Sequence, residues 1–119
     1  MENTKPLAGS SSEILTLAQP IFEMILAAHH AGDYQQLEPL LSGDMREALN
    51  EDVFAQIILA HMAPLGDLCS TEYLGYLQKE DATQTLWKAR YEDSPVEILW
   101  QVFLASRGEG VEVVGLLFS

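Results

Sequence analysis

The apolar positions change their period part-way along the chain. Up to about Met62 they recur every three or four residues, the spacing of an amphipathic helix; from Asp67 they alternate, as in a strand. Ile14, Leu17, Ile21, Ile25 and Ala28 form the first stripe, widened by Leu15, Phe22 and Leu26, and predict a helix over 11–31 with a broad buried face. Ser10 and Glu13 have capping-box spacing at its start, and Gly32 ends it. Pro20 removes a backbone donor inside this pattern and predicts a kink, or a helix that starts near that residue. Asp33 caps a second helix over 34–41, and 45–49 adds a turn or two. A third helix over 52–62 carries Phe54, Ile57, Ile58 and His61 on one side until Pro64 and Gly66 stop it.

Four strands are expected next, at 67–79, 83–92, 96–106 and 111–118. The turns at 93–95 and 107–110 are short and contain Pro or Gly, which predicts an antiparallel meander. Closing each hairpin by its short turn places Leu74 opposite Trp87, Ser70 opposite Tyr91, Trp87 opposite Val102, Trp100 opposite Leu117 and Leu104 opposite Val113. Opposed residues share a sheet face, so this register defines a helix-covered core and puts Glu72 on it, near Tyr76 and Tyr91. Gly115, opposite Val102, leaves room there beside Trp100 and Leu117. The other face carries Leu86, Lys88, Arg90, Leu99, Phe103, Leu116 and Phe118. It is too apolar to stay bare, and predicts a homodimer built on it, with Lys88 and Arg90 pairing acidic groups of the partner.

The expected fold class is therefore α+β: a long N-terminal helix plus two shorter helices packed on a curved four-stranded antiparallel sheet. One domain over 11–119 follows a mobile tail over 1–10. A length of 119 residues suits a single core. Charge narrows the partners: 18 acidic against 6 basic residues give a net charge of −12, which repels nucleic acid and anionic lipid. Residues 1–12 have no apolar signal core, and the apolar run at 21–28, broken by Glu23, is too short to span a bilayer. A cytoplasmic location is expected. The single cysteine, Cys69, forms no internal disulfide and no redox motif.

Ala31-Gly32-Asp33-Tyr34, Ser42-Gly43-Asp44-Met45, Leu65-Gly66-Asp67 at the helix-to-strand corner, and the ending Val113-Val114-Gly115-Leu116-Leu117-Phe118 come in a telling order. In that order and spacing the chain resembles the nuclear transport factor 2-like (cystatin-like fold) superfamily, and within it a small uncharacterised bacterial branch of unknown function. The likeness covers 13–119. It implies a module that is mostly non-catalytic, found alone or fused to hydrolases and lipoproteins; neither a fused domain nor a lipoprotein signal is expected here. Ketosteroid isomerase-like enzymes share the superfamily, so the fold alone does not decide activity.

Two functions from different classes fit the residues. The first is a non-enzymatic association or small-ligand-binding module, dimeric, holding a small apolar molecule between helix and sheet. Its pocket would draw on His29, Tyr34, Glu72, Tyr76, Tyr91 and Trp100. The alternative is a small isomerase or dehydratase, with Glu72 as a desolvated base and Tyr91 or Tyr76 polarising a carbonyl. A third reading has the acidic face meeting a basic partner. His29 and His30 also suit the C-terminal end of a helix dipole, and His61 suits a packed core position. No cofactor is expected, and no metal: the spacing His-Glu-x-x-His is missing, and His29-His30-x-x-Asp33 is interrupted by Gly32.

Overall fold

A computed structural model describes residues 4–119 of the chain. Four helices precede a four-stranded antiparallel sheet: α1 (Ser11–Ala31), α2 (Tyr34–Leu37), α3 (Gly43–Ala48), α4 (Glu51–Ile57), then β1 (Leu68–Gln78), β2 (Thr83–Tyr91), β3 (Ile98–Arg107) and β4 (Gly110–Phe118). The strands lie side by side in chain order, an α+β meander. Among the described residues no helix is long and apolar enough to cross a membrane.

Local chemistry explains the helix ends. The Ser10 hydroxyl accepts from the Glu13 N–H while the Glu13 carboxylate accepts from the Ser10 N–H, closing the expected capping box. Gly32 terminates α1 in the left-handed region at φ 65°, and the Asp33 N–H returns to the Ala28 carbonyl at 3.0 Å. Asp33, Ser42 and Asn50 cap α2, α3 and α4 through their side-chain oxygens. Helix α1 continues through Pro20, which stands on the exposed side, where water can satisfy the freed carbonyl.

The buried stripe of α1 is Ile14, Ala18, Phe22, Ile25, Ala28 and His29. Leu17, expected on that stripe, is 43 % exposed. Beyond α4 the expected third helix changes pitch: residues Ile58–Met62 form a π-turn, followed by a 3₁₀ turn at Ala63–Leu65. The wider turn moves Met62 into the core and leaves His61 exposed, correcting its expected core position.

Part of the segment before α1 is bonded to the sheet. Lys5 pairs with Ser106, and the buried Leu7 donates its N–H to Thr83 Oγ1 at 2.8 Å and accepts from Gln78 Nε2. Residues 1–3 of that tail lie outside the described residues.

The register departs from the expected one in two ways. Between β2 and β3 the pairing slips by two residues, so Trp87 faces Trp100, and Thr85 faces Val102. An even slip preserves the faces, and Thr83, Thr85, Trp87, Ala89, Ile98, Trp100, Val102 and Leu104 are all buried as a core surface. The second departure comes from bulges. Leu74 is squeezed out of the β1–β2 ladder between Tyr73 (opposite Trp87) and Gly75 (opposite Leu86). Val114 is squeezed out of β4, where Leu104 faces Val113 as expected but Phe103 faces Gly115. One extra residue inverts the side-chain phase beyond it.

Three corrections follow from that inversion. Glu72 lies on the outer face, opposite Lys88, rather than over the core. Leu116 and Phe118 face the core, opposite Val102 and Trp100, rather than the outer surface; Leu117 is turned out and is 55 % exposed. Gly115 opens no space in the core, because it lies beneath the Phe103 ring on the outer face: a methyl group there would sit 2.9 Å from Phe103 Cδ1.

Candidate cleft between helix α1 and the sheet

Packing on the core face is aromatic. Phe22 stacks on Trp87 with ring centroids 4.2 Å apart, Tyr73 tilts against the same indole at 4.8 Å, and Phe118 lies 4.8 Å from Trp100. Towards the C-terminal end of α1 this layer stops short of the bulged start of β1. An open cleft of about 730 Å³ remains there, within the size of small-molecule sites. One wall is α1, from Glu23 to His30. The other is made by the π-turn, the corner at Gly66–Asp67, the beginning of β1 and Tyr91 at the end of β2.

The corner is fixed by the backbone. Gly66 has φ 77°, and the Asp93 carboxylate rests against its Cα, where any side chain would collide. The Glu92 N–H donates to the Asp67 carbonyl at 2.8 Å, and the Asp93 N–H to the Leu65 carbonyl at 2.8 Å. Leu26, Ile58, Met62 and Leu68 give the cleft its apolar character. Leu26 and Ile58 were expected on buried helix faces, and none of the four as a site residue. Gly66 was the available signal, since an unusual backbone at a helix-to-strand corner often marks a concave surface.

His29 is the buried polar side chain of α1, 2 % exposed, and lines the cleft. Its Nδ1 lies 2.7 Å from the Ile25 carbonyl, and its ring meets Phe54 at 5.0 Å and Trp100 at 5.1 Å, both edge to face. Removal from water pushes its pKa below the ordinary value of 6.5, opposed in part by the bond to Ile25. Tyr91 also lines the cleft; burial pushes its phenol up, and its oxygen accepts the Trp100 indole N–H at 3.3 Å.

The remaining sequence-derived residues lie elsewhere. Trp100 is fully buried behind His29. Tyr34 is occupied in structure, donating its hydroxyl to the Leu49 carbonyl at 2.7 Å. Tyr76 pairs its hydroxyl with that of Ser11 at 3.3 Å, near the start of α1. Glu72 is an exposed partner of Lys88 at 3.2 Å and is not the desolvated carboxylate that the isomerase reading expected. The carboxylates that line the cleft, Glu23 and Asp67, are exposed. Among the described residues no group of three or more His, Cys, Asp or Glu side chains is placed to hold a metal ion. What the arrangement can do is enclose an apolar body and hydrogen-bond one end of it.

No family model, curated protein or solved structure matches the chain.

Proposed function

We propose that the chain is a nuclear transport factor 2-like, non-enzymatic module that binds a small, mainly apolar ligand in the cleft between α1 and the sheet. The observation that carries this reading is the cleft of about 730 Å³ itself, apolar along its walls, with His29 and Tyr91 as its buried polar groups. The order of elements, one long capped helix, short helices and then an antiparallel meander, supports the family assignment. Titration with the neutral dye Nile red tests it. Wild-type protein should enhance the dye's fluorescence saturably, and Leu26→Glu, which puts a charge on the cleft wall, should abolish the enhancement without unfolding the chain. A dye response unchanged by Leu26→Glu would overturn the assignment of the cleft.

The same proposal includes a homodimer through the outer sheet face. Leu86, Leu99 and Phe103 lie there half-buried by neighbouring strands yet outside the core, beside Leu77 and Leu117, which are 49 % and 55 % exposed. A second copy presents the same apolar strip, so an isologous contact is self-complementary. Lys88 is held by Glu72 at 3.2 Å and Glu97 at 3.3 Å within its own chain, so its charge is already matched there and the contact between copies rests on the apolar side chains.

A further inference from the structure

Proton positions in the cleft can be worked out from its hydrogen-bond partners. The Ile25 carbonyl can only accept, so the proton of the neutral His29 ring sits on Nδ1 and Nε2 carries a lone pair. Nε2 has no partner among the described residues. Tyr73 Oη is the side-chain nitrogen or oxygen among them that is both sealed from solvent and unpaired. His29 Nε2 is therefore not sealed, and the ring that carries it, 2 % exposed, lines the cleft. Tyr91 is the complement. The Trp100 indole can only donate, so Tyr91 Oη is the acceptor of that bond and its own O–H remains free to donate. Both groups flank the same indole: the His29 ring lies 5.1 Å from that of Trp100, whose Nε1 lies 3.3 Å from Tyr91 Oη.

We infer that the cleft takes an uncharged, mostly apolar molecule presenting a hydrogen-bond donor to His29 Nε2 and an acceptor to the Tyr91 hydroxyl, as an amide or lactam on an aromatic or aliphatic body does. This rests on the ligand-binding reading above and adds the polar chemistry of its ligand. Anions fit poorly. No Lys or Arg lines the cleft to meet an anion, Glu23 and Asp67 stand in its lining, and the chain carries a net charge of −12. A site whose buried polar groups expect partners discriminates against analogues that leave them unpaired.

The test uses three probes of nearly one shape: carbostyril, which is a lactam with both groups; N-methylcarbostyril, which lacks the donor; and naphthalene, which lacks both. Calorimetric titration of the full chain should give carbostyril at least about tenfold tighter binding than either analogue. His29→Phe should bring carbostyril to the level of N-methylcarbostyril while naphthalene binding persists, and Tyr91→Phe should narrow the gap between carbostyril and naphthalene. As a readout needing no variant, the ¹⁵N resonances of His29 should show a proton on Nδ1 and none on Nε2, with Nε2 shifting on addition of carbostyril and not of N-methylcarbostyril. Equal affinity for all three probes, or a proton found on Nε2, overturns the inference and leaves the apolar cleft standing. Failure of all three to bind overturns the ligand-binding reading with it.

Discussion

Phe22 of α1 lies flat on Trp87 of β2, ring centroids 4.2 Å apart and planes 14° apart, and this stack joins helix to sheet. Phe22→Ala should cost about 3–5 kcal/mol, because the wall left behind is built from rigid rings that cannot collapse into the void. Leu17→Ala, one turn earlier on the exposed side, should change stability by no more than about 0.5 kcal/mol. Urea titration of the two variants checks the contrast; similar losses would mean that the helix is rotated relative to the sheet.

On the outer face, Gly115 and Phe103 should behave as a coupled pair. A methyl group at Gly115 would come 2.9 Å from the Phe103 ring, so Gly115→Ala should destabilise by about 1–3 kcal/mol. In a Phe103→Ala background the same change should cost little. A double-mutant cycle with no coupling would contradict the bulge-determined register of β4.

The proposed dimer makes a prediction of its own. Light scattering at micromolar concentration should give twice the chain mass, and Phe103→Glu or Leu117→Glu should halve it. A monomer mass for the wild type would remove the dimer. The exposed Glu72–Lys88 pair should matter little by comparison: Glu72→Gln should leave both mass and midpoint of unfolding nearly unchanged, since such pairs are screened by water.

His29 links stability to pH with a definite sign. Its folded pKa is lowered by burial, so between that value and the ordinary 6.5 the unfolded chain binds the extra proton. The stabilisation from keeping the ring neutral is complete above 6.5 and is lost as pH falls from there towards the folded pKa. Glu23, His30, Asp67 and Tyr91 share the cleft with His29, so the informative quantity is the difference between wild type and His29→Phe. That difference should drop with acidification below about pH 6.5 and be flat above it. A flat difference across pH 5–8 would place His29 in water.

Much of this was readable in the sequence, for identifiable reasons. The caps at Ser10, Gly32 and Asp33 are short-range chemistry, and the faces of β2 and β3 survived a register slip because the slip was even. The faces of Glu72, Leu116 and Phe118 did not survive, because Leu74 and Val114 are ordinary strand formers whose exclusion from the ladder leaves no trace in the alternation. The warning lay next to them: Gly75, at φ 136°, and Gly115 are glycines inside strands, which often mark bulges. His29, Tyr91 and Trp100 were expected in one pocket, and both polar residues do meet that indole; Tyr34, Glu72 and Tyr76, expected with them, lie elsewhere.

The two irregularities of β1 also bear on how this sheet avoids joining others. β1 is an edge strand of 11 residues opposite a 9-residue neighbour, and Cys69 and Leu74 take up the excess. Each interrupts the row of free amide and carbonyl groups that another strand would need as a template. At the far edge, Leu41 bridges to Val113 and the Ser42 N–H occupies the Val113 carbonyl at 2.9 Å. Neither margin of the sheet offers an unbroken ladder, so backbone geometry at both ends works against runaway strand addition, the route by which open sheets grow into fibrils.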